Sequence, residues 1–185
     1  MKGIIFHVVE QVVRSEHGED TWDALLDAAR ASGVYTRLGT YDDEELGRIV
    51  EAAAEALALP AGDVLHWIGV RAFPHLGTAH PQLLEGFDAT VPLLVGLNRM
   101  IHTEVRKLYP DAQTPHFEFS EVAPSVLEMS YHSPRGLCHL AAGLAEGAAA
   151  HFGEPLATEH LRCRHRGDAE CVVRLDFGVA AEAAA

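Results

Sequence analysis

The length and charge of the chain exclude several classes of protein. It has 185 residues, of which 48% are hydrophobic and 22% are charged, and its formal net charge is −13. This apolar content is enough for the core of one large domain and too high for an intrinsically disordered chain. With 14 Lys and Arg against 27 Asp and Glu, we expect no basic surface for nucleic acid or an anionic membrane.

The sequence also predicts a cytoplasmic protein. No segment approaches the roughly 18 consecutive apolar residues of a membrane-spanning helix. His7 and Glu10 interrupt the first apolar stretch, so we expect no signal peptide. Three cysteines are too few for a disulfide framework and favour a reducing compartment, whereas 12 histidines indicate ligand chemistry.

Helical periodicity dominates the first part of the chain. Apolar residues recur every three or four positions in several segments. The acidic run at 42–45 suits the start of a helix, where negative charge is favourable. A longer helix has Pro92 in its first turn and ends before Pro110. The predicted helices cover residues 4–13, 22–29, 42–59, 63–68 and 90–109.

After Pro115 the pattern changes to the alternation of β-strands. Residues 116–133 predict a hairpin, 137–152 a helix rich in Ala and Gly, and two strands flank the turn at 166–168. We therefore expect one α+β domain over residues 1–177, with an N-terminal helical subdomain and a C-terminal subdomain that contains a four-stranded antiparallel sheet and helices. The Ala-rich tail at 178–185 has no pattern and is expected to be disordered.

His102 is the first candidate for chemistry. It lies at the edge of the apolar face of the 90–109 helix, beside Ile101 and one turn from Val105. Most histidines in such a place are ordinary boundary residues. An imidazole on a rigid helix can instead hold a haem iron, while Met100, Ile101 and Val105 exclude water.

Three polar side chains on the second predicted strand form another candidate site. Tyr131, Ser133 and Arg135 have the same parity, so on a strand they share one face. Together they offer a phenol, a hydroxyl and a guanidinium, which suit one or two carboxylates such as haem propionates. The competing interpretation is a polar strand end with one surface arginine.

In combination, these features resemble the H-NOX (haem nitric oxide/oxygen binding) family. Tyr131-x-Ser133-x-Arg135 follows His102 by about thirty residues, Pro115 lies between them, and the chain opens with an apolar helix. The resemblance covers residues 1–177 and implies a haem b between the two subdomains. It implies His102 as proximal iron ligand, the three polar residues on the propionates, and Pro115 against the porphyrin face.

The resemblance also indicates which gases bind. Members that bind O₂ use a distal tyrosine as hydrogen-bond donor, and Leu140 occupies that position here. His139 precedes it and should point about 100° away on a helix. An apolar pocket suits NO and CO, so we expect both to bind and no stable O₂ complex. The other apolar residues expected around the haem are Ile5, Val9, Ile101 and Leu144.

Every cysteine belongs to a second candidate site. Its four candidate ligands are Cys138, His160, Cys163 and Cys171. Three thiolates and one imidazole are sufficient for a closed zinc site, and some H-NOX proteins carry a similar His/Cys₃ zinc. His160 has the wrong parity to share a face with Cys163, so a β-bulge or a strand end is required there, and His139 and His165 are alternatives. Otherwise the cysteines are small buried hydrophobes.

The expected function is sensing and not catalysis. The resemblance implies that NO binding breaks the bond between the iron and His102, after which the haem and its helix move. We expect the signal to reach a separate partner, such as a histidine kinase or a cyclic-di-GMP enzyme. The alternative is a redox sensor in which the Cys/His cluster signals through its thiols and zinc. A haem peroxidase is disfavoured because the expected distal pocket lacks an acid–base residue.

Overall fold

The computed structural model describes residues 1–178, and helices form its first part. These are α1 (Gly3–His17), α2 (Glu19–Ala29), α3 (Asp43–Leu57), α4 (Ala61–Ala79), a 3₁₀ turn (Pro81–Leu83), α5 (Thr90–Gly96) and α6 (His102–Leu108). A π-helical turn over Leu97–Ile101 joins α5 to α6, so the predicted 90–109 helix is continuous but locally widened. None of the helices in the described part of the chain is long and apolar enough to cross a bilayer.

The second part contains the predicted sheet. Its elements are β1 (His116–Ala123), β2 (Val126–His132), α7 (Cys138–Phe152), β3 (Ala157–Arg162), a 3₁₀ turn (Arg164–Arg166) and β4 (Cys171–Asp176). The four strands are antiparallel in the order β1-β2-β4-β3. The predicted α+β fold is therefore confirmed. Of the Ala-rich tail expected at 178–185, residues 179–185 lie outside the described part of the chain.

The helical part has its own apolar core because α1 is buried on more than one side. Phe6, Val9 and Val13 of α1 belong to one cluster with Trp22 of α2 and Ile49 of α3. Residues on another face of α1, namely Ile4, Val8 and Val12, pack in a different cluster. Such all-round burial of apolar side chains stabilises a helix mainly through tertiary packing.

Glycines allow α4 and α7 to pack with their backbones in close contact. A Cβ atom added to Gly143 would lie 2.1 Å from the carbonyl oxygen of His66, and one added to Gly147 would lie 2.5 Å from that of Val70. No real side chain tolerates such distances, so only glycine permits this crossing. Because α4 belongs to the helical part and α7 to the sheet part, the crossing joins the two halves of the domain.

A polar cluster beside this crossing connects three elements. His66 Nε2 of α4 lies 3.2 Å from Glu146 Oε1 of α7, and Thr158 Oγ1 of β3 donates to the same carboxylate oxygen at 2.6 Å. The hydrogen bond with Glu146 raises the pKa of His66. The half-buried carboxylate of Glu146 is thereby contacted from both α4 and β3.

Substituting Gly143 by Ala is expected to lower the free energy of unfolding by about 1–3 kcal/mol, because the methyl group would overlap backbone atoms of α4. Gly47 is the matched control, since it lies in α3 with no atom within 4 Å of an added Cβ. Gly47→Ala should raise the same free energy by about 0.5–1 kcal/mol. Urea unfolding followed by circular dichroism measures the free energy of unfolding of both variants. An unchanged free energy for Gly143→Ala would contradict the close packing of α4 and α7.

Candidate functional site

A cavity of about 330 Å³ lies where the two halves meet. Helices α1, α4 and α7, the α5–α6 helix and the β1–β2 hairpin all contribute to its walls. Met100, which was expected to exclude water beside His102, is 52% exposed and does not line the cavity. Of the residues predicted to bind the haem, all but one line it. They are Ile5, Ile101, His102, Pro115, Tyr131, Ser133, Arg135, Leu140 and Leu144.

Val9 is the exception, and its predicted place in the pocket was wrong. Its side chain is 3% exposed and packs in the core of the helical part beside Phe6. The cavity is lined instead by Ile4 together with Ile5. A residue four positions after Ile5 is rotated by about 40° around the helix, which is enough to turn Val9 from the cavity toward the core.

His102 lines the cavity with its imidazole. It is the first residue of α6, directly after the π turn. Among the described residues, its buried Nδ1 atom has no hydrogen-bond partner. Burial and the charge of Arg106 lower the pKa of His102 to about 4, against the opposing effect of the Pro115 carbonyl. At neutral pH the imidazole is therefore uncharged, which is the form that binds a metal.

Tyr131 and Ser133 form the polar edge of the same cavity. Tyr131 is 5% exposed, and its hydroxyl oxygen accepts a hydrogen bond from the backbone N–H of Leu137 at 3.1 Å. The Ser133 hydroxyl accepts one from the backbone N–H of Arg135 at 3.3 Å. Each hydroxyl proton remains available to donate, so the pair suits a carboxylate at the edge of an apolar ligand.

Arg135 connects this edge to the helical part. Its Nε donates to Asp43 Oδ2 at 2.9 Å, and Nη1 donates to the Gln113 carbonyl. Burial would raise the pKa of Asp43, but hydrogen bonds from the Met1 ammonium and from Arg135 outweigh it, so the pKa is lowered. Sequence analysis assigned Asp43 only to a helix start, because its partner is 92 residues away.

The wall formed by α7 and α1 is apolar. Leu140, Leu144 and Ile5 line it, whereas the ring of His139 lies 4.0 Å from that of His160, in the cysteine cluster. His139 therefore points away from the cavity, as helical geometry predicts. Two polar side chains that sequence analysis missed, His80 and Tyr109, also line the cavity, with ring centroids 6.5 Å apart.

The cysteine cluster has the geometry of a metal centre. Four of its residues, Cys138, His139, His160 and Cys163, offer ligand atoms that all lie within 4.8 Å of one another. The Sγ atoms of Cys138 and Cys163 are 3.7 Å apart, and two thiolates on a tetrahedral zinc ion are separated by about 3.8 Å. His160 Nε2 is buried without a hydrogen-bond partner in the described chain. A zinc ion fits these residues.

Cys171, a predicted ligand, lies outside this compact set, and His139 is in the set instead. The Cys171 Sγ accepts a hydrogen bond from the backbone N–H of Arg164 at 3.4 Å. Burial, followed by contact with Cys171 and Cys163, raises the pKa of Cys138. His165 Nε2 lies 2.6 Å from the Gly136 carbonyl, outside the compact set.

The irregularity required for His160 is present in the sheet. The pairing of β3 with β4 shifts between His160 and Arg162, which is the bulge that the parity of His160 and Cys163 demands. The shift turns His160 toward the cysteines although it is an odd number of residues from Cys163.

Comparison with known proteins identifies the family of the chain. The model of the Haem-NO-binding family matches residues 2–160. The chain belongs to this family. It is similar to an H-NOX protein from Shewanella oneidensis in the Fe(II)NO ligation state, with 34% identity, a TM-score of 0.89, and coverage of 97% of this chain and 100% of that one. The predicted H-NOX resemblance is thus confirmed, and the domain is a haem-binding gas sensor.

Two further H-NOX structures extend the comparison. The Shewanella oneidensis domain in the Fe(II)CO ligation state has 34% identity and a TM-score of 0.85, covering 97% of this chain and 100% of that one. An unliganded Fe(II) H-NOX protein from K. algicida has 27% identity and a TM-score of 0.82, and each chain is covered to 98%.

His102→Gly is expected to abolish tight haem binding, because it removes the imidazole predicted to bind the iron from a cavity whose other walls are mostly apolar. Added imidazole should restore the haem absorption by occupying the space that the side chain leaves. His151→Gly, at an exposed site of α7, is the control and should bind haem as wild type does. Full pigment in His102→Gly without added imidazole would contradict the assignment. Absorption spectroscopy after reconstitution with hemin measures these outcomes.

Proposed function

We propose that this H-NOX protein senses NO, and also binds CO, through a ferrous haem b held in the cavity. When bound, the haem supplies the iron that takes up the gas. The observation that carries the proposal is the neutral imidazole of His102 in the wall of a largely apolar cavity. The Fe(II)NO and Fe(II)CO ligation states of the Shewanella oneidensis protein support the choice of gases.

The remaining residues have distinct roles in this proposal. Tyr131, Ser133 and Arg135 would hold the propionates, and Pro115 would press on the porphyrin face. Ile101 would pack beside His102. Leu140, Leu144 and Ile5 would surround the gas and exclude water. These apolar side chains offer no hydrogen-bond donor, which disfavours bound O₂ relative to NO and CO.

The gas selectivity has a direct spectroscopic test. We expect the reduced protein to give new absorption bands with NO and with CO, and to give no persistent oxy-complex in air. Tyr109 is the control, because it also lines the cavity and carries a donor. A persistent oxy-complex in the wild type would contradict an apolar gas-binding wall, and its loss in Tyr109→Phe would identify the donor.

We further propose that the signal leaves the site through the helix of His102. His102 is the first residue of α6, so loss of its bond to the iron on NO binding would leave the start of this helix free to move. Asn98, in the adjoining π turn, accepts a hydrogen bond from the backbone N–H of Phe117 at 3.1 Å and donates to the carbonyl of the same residue. Motion of the turn would therefore reach β1 directly.

A second connection runs from the propionate edge to the helical part. Arg135 is paired with Asp43 at the start of α3. A shift of the propionates that Arg135 would hold would therefore change the geometry of this ion pair. A ligand can shift the equilibrium between two arrangements of the helical and sheet halves only if it binds one arrangement more tightly than the other. We propose that the new arrangement is read by a separate cytoplasmic partner, a histidine kinase or a cyclic-di-GMP enzyme, and that the domain itself is not an enzyme.

We also propose a structural zinc ion held by Cys138, His160, Cys163 and Cys171. The short distance between the Sγ atoms of Cys138 and Cys163 supports this site, as does the unsatisfied nitrogen of His160. The same sulfur distance favours one alternative function, in which oxidation of the thiols makes the cluster the signalling element.

A pair of variants separates gas sensing from thiol sensing. His102→Gly, reconstituted with imidazole so that haem is present, should abolish NO-dependent regulation of the partner because the haem is no longer attached to α6. Cys138→Ser should leave NO-dependent regulation in place if it folds and binds haem. The opposite pattern would make the cysteine cluster the sensor. The assay measures partner activity with and without NO.

A further inference from the structure

The metal cluster offers more donors than a zinc ion needs. Three thiols and two imidazoles converge, whereas structural zinc is four-coordinate. The compact set of ligand atoms contains His139 together with Cys138, His160 and Cys163. The zinc ligands proposed above include Cys171 in place of His139, so one donor is in excess.

His139 is positioned as a ligand and not as a neighbour. Its Nε2 lies 3.8 Å from the Sγ of Cys163, close to the separation of two donors on one tetrahedral zinc ion. Its ring is stacked on that of His160, with centroids 4.0 Å apart and planes inclined by 24°. The other alternative, His165, is engaged with the Gly136 carbonyl.

The surroundings of His139 keep its ring in this place. A Cβ atom added to Gly62 of α4 would lie 2.9–3.0 Å from three atoms of the imidazole. The ring thus packs directly against the backbone of α4 on one side and against the ring of His160 on the other. An imidazole held in this way loses little further rotamer entropy when it binds a metal.

We propose that His139 is a reserve zinc ligand, which can exchange with the Cys171 thiolate at the fourth coordination position. This inference rests on the proposed zinc site. Replacing a thiolate by a neutral imidazole removes one negative charge from the metal centre without releasing the ion. Because His139 precedes Leu140 of the haem cavity, the exchange would act on the first turn of α7 and so on the gas-binding wall.

Zinc content measured by mass spectrometry tests the proposal. The full chain without an affinity tag is purified without chelator and dialysed against a weak one. Wild type, His139→Ala and Cys171→Ser should each retain about one zinc per chain, because four donors remain in each. The double variant Cys171→Ser/His139→Ala should lose the ion. Cys171→Ala serves as a second variant that lacks the thiol at position 171. The haem absorption of each protein reports that it is folded.

Cobalt substitution identifies the ligand independently. The thiolate-to-cobalt absorption of Cys171→Ser should fall by about one third, since two thiolates replace three, while the tetrahedral d–d bands persist. Their loss in the double variant would confirm that His139 supplies the fourth donor. Zinc loss in Cys171→Ser as complete as in Cys163→Ser, or zinc retention in the double variant, would overturn the role of His139. A wild type without zinc would instead contradict the metal site itself.

Discussion

The site depends on one polar atom that the protein fold leaves unsatisfied. A buried nitrogen without a hydrogen bond costs about 1–3 kcal/mol, and His102 Nδ1 is such an atom. Its surroundings increase the effect, since burial keeps the ring neutral and the cavity offers mostly aliphatic groups. Because His102 is the first residue of α6, a haem iron bound by its imidazole, as proposed, would link ligand binding to the position of α6.

The cavity lies where two separately packed halves touch, and this placement makes it useful for a sensor. The helical half has its own core, and the sheet half has another that includes Phe117, Met129 and Leu175. The glycine crossing of α4 and α7 joins them closely, whereas the Asp43–Arg135 pair joins them by a partly exposed ion pair. Exposed ion pairs contribute little stability, so the second contact can rearrange while the first stays fixed.

Local patterns predicted the type and order of the main elements, although α4 extends to Ala79 and periodicity indicated only 63–68. Strand parity accounts for Tyr131 alone, because β2 ends at His132 and Ser133 and Arg135 lie beyond it, although all three line the cavity. The misses have tertiary causes. Val9 was misplaced because α1 is buried on several sides, so periodicity alone does not say which face meets the cavity. The pairing of Asp43 with Arg135 spans 92 residues, and the π turn at 97–101 accompanies bonding of Asn98 to β1. No local signal encodes such contacts.

Helix α7 makes the gas site and the metal cluster mechanically dependent on each other. Its first three residues are Cys138, His139 and Leu140, and successive side chains on a helix are about 100° apart. Two of them therefore enter the cluster while the third enters the haem cavity. Rotation of this turn cannot improve one set of contacts without disturbing the other. The glycine face of the same helix, pressed against α4, limits its freedom to tilt. A change of ligands at the proposed zinc site would therefore act along the first turn of α7, where Leu140 borders the haem cavity.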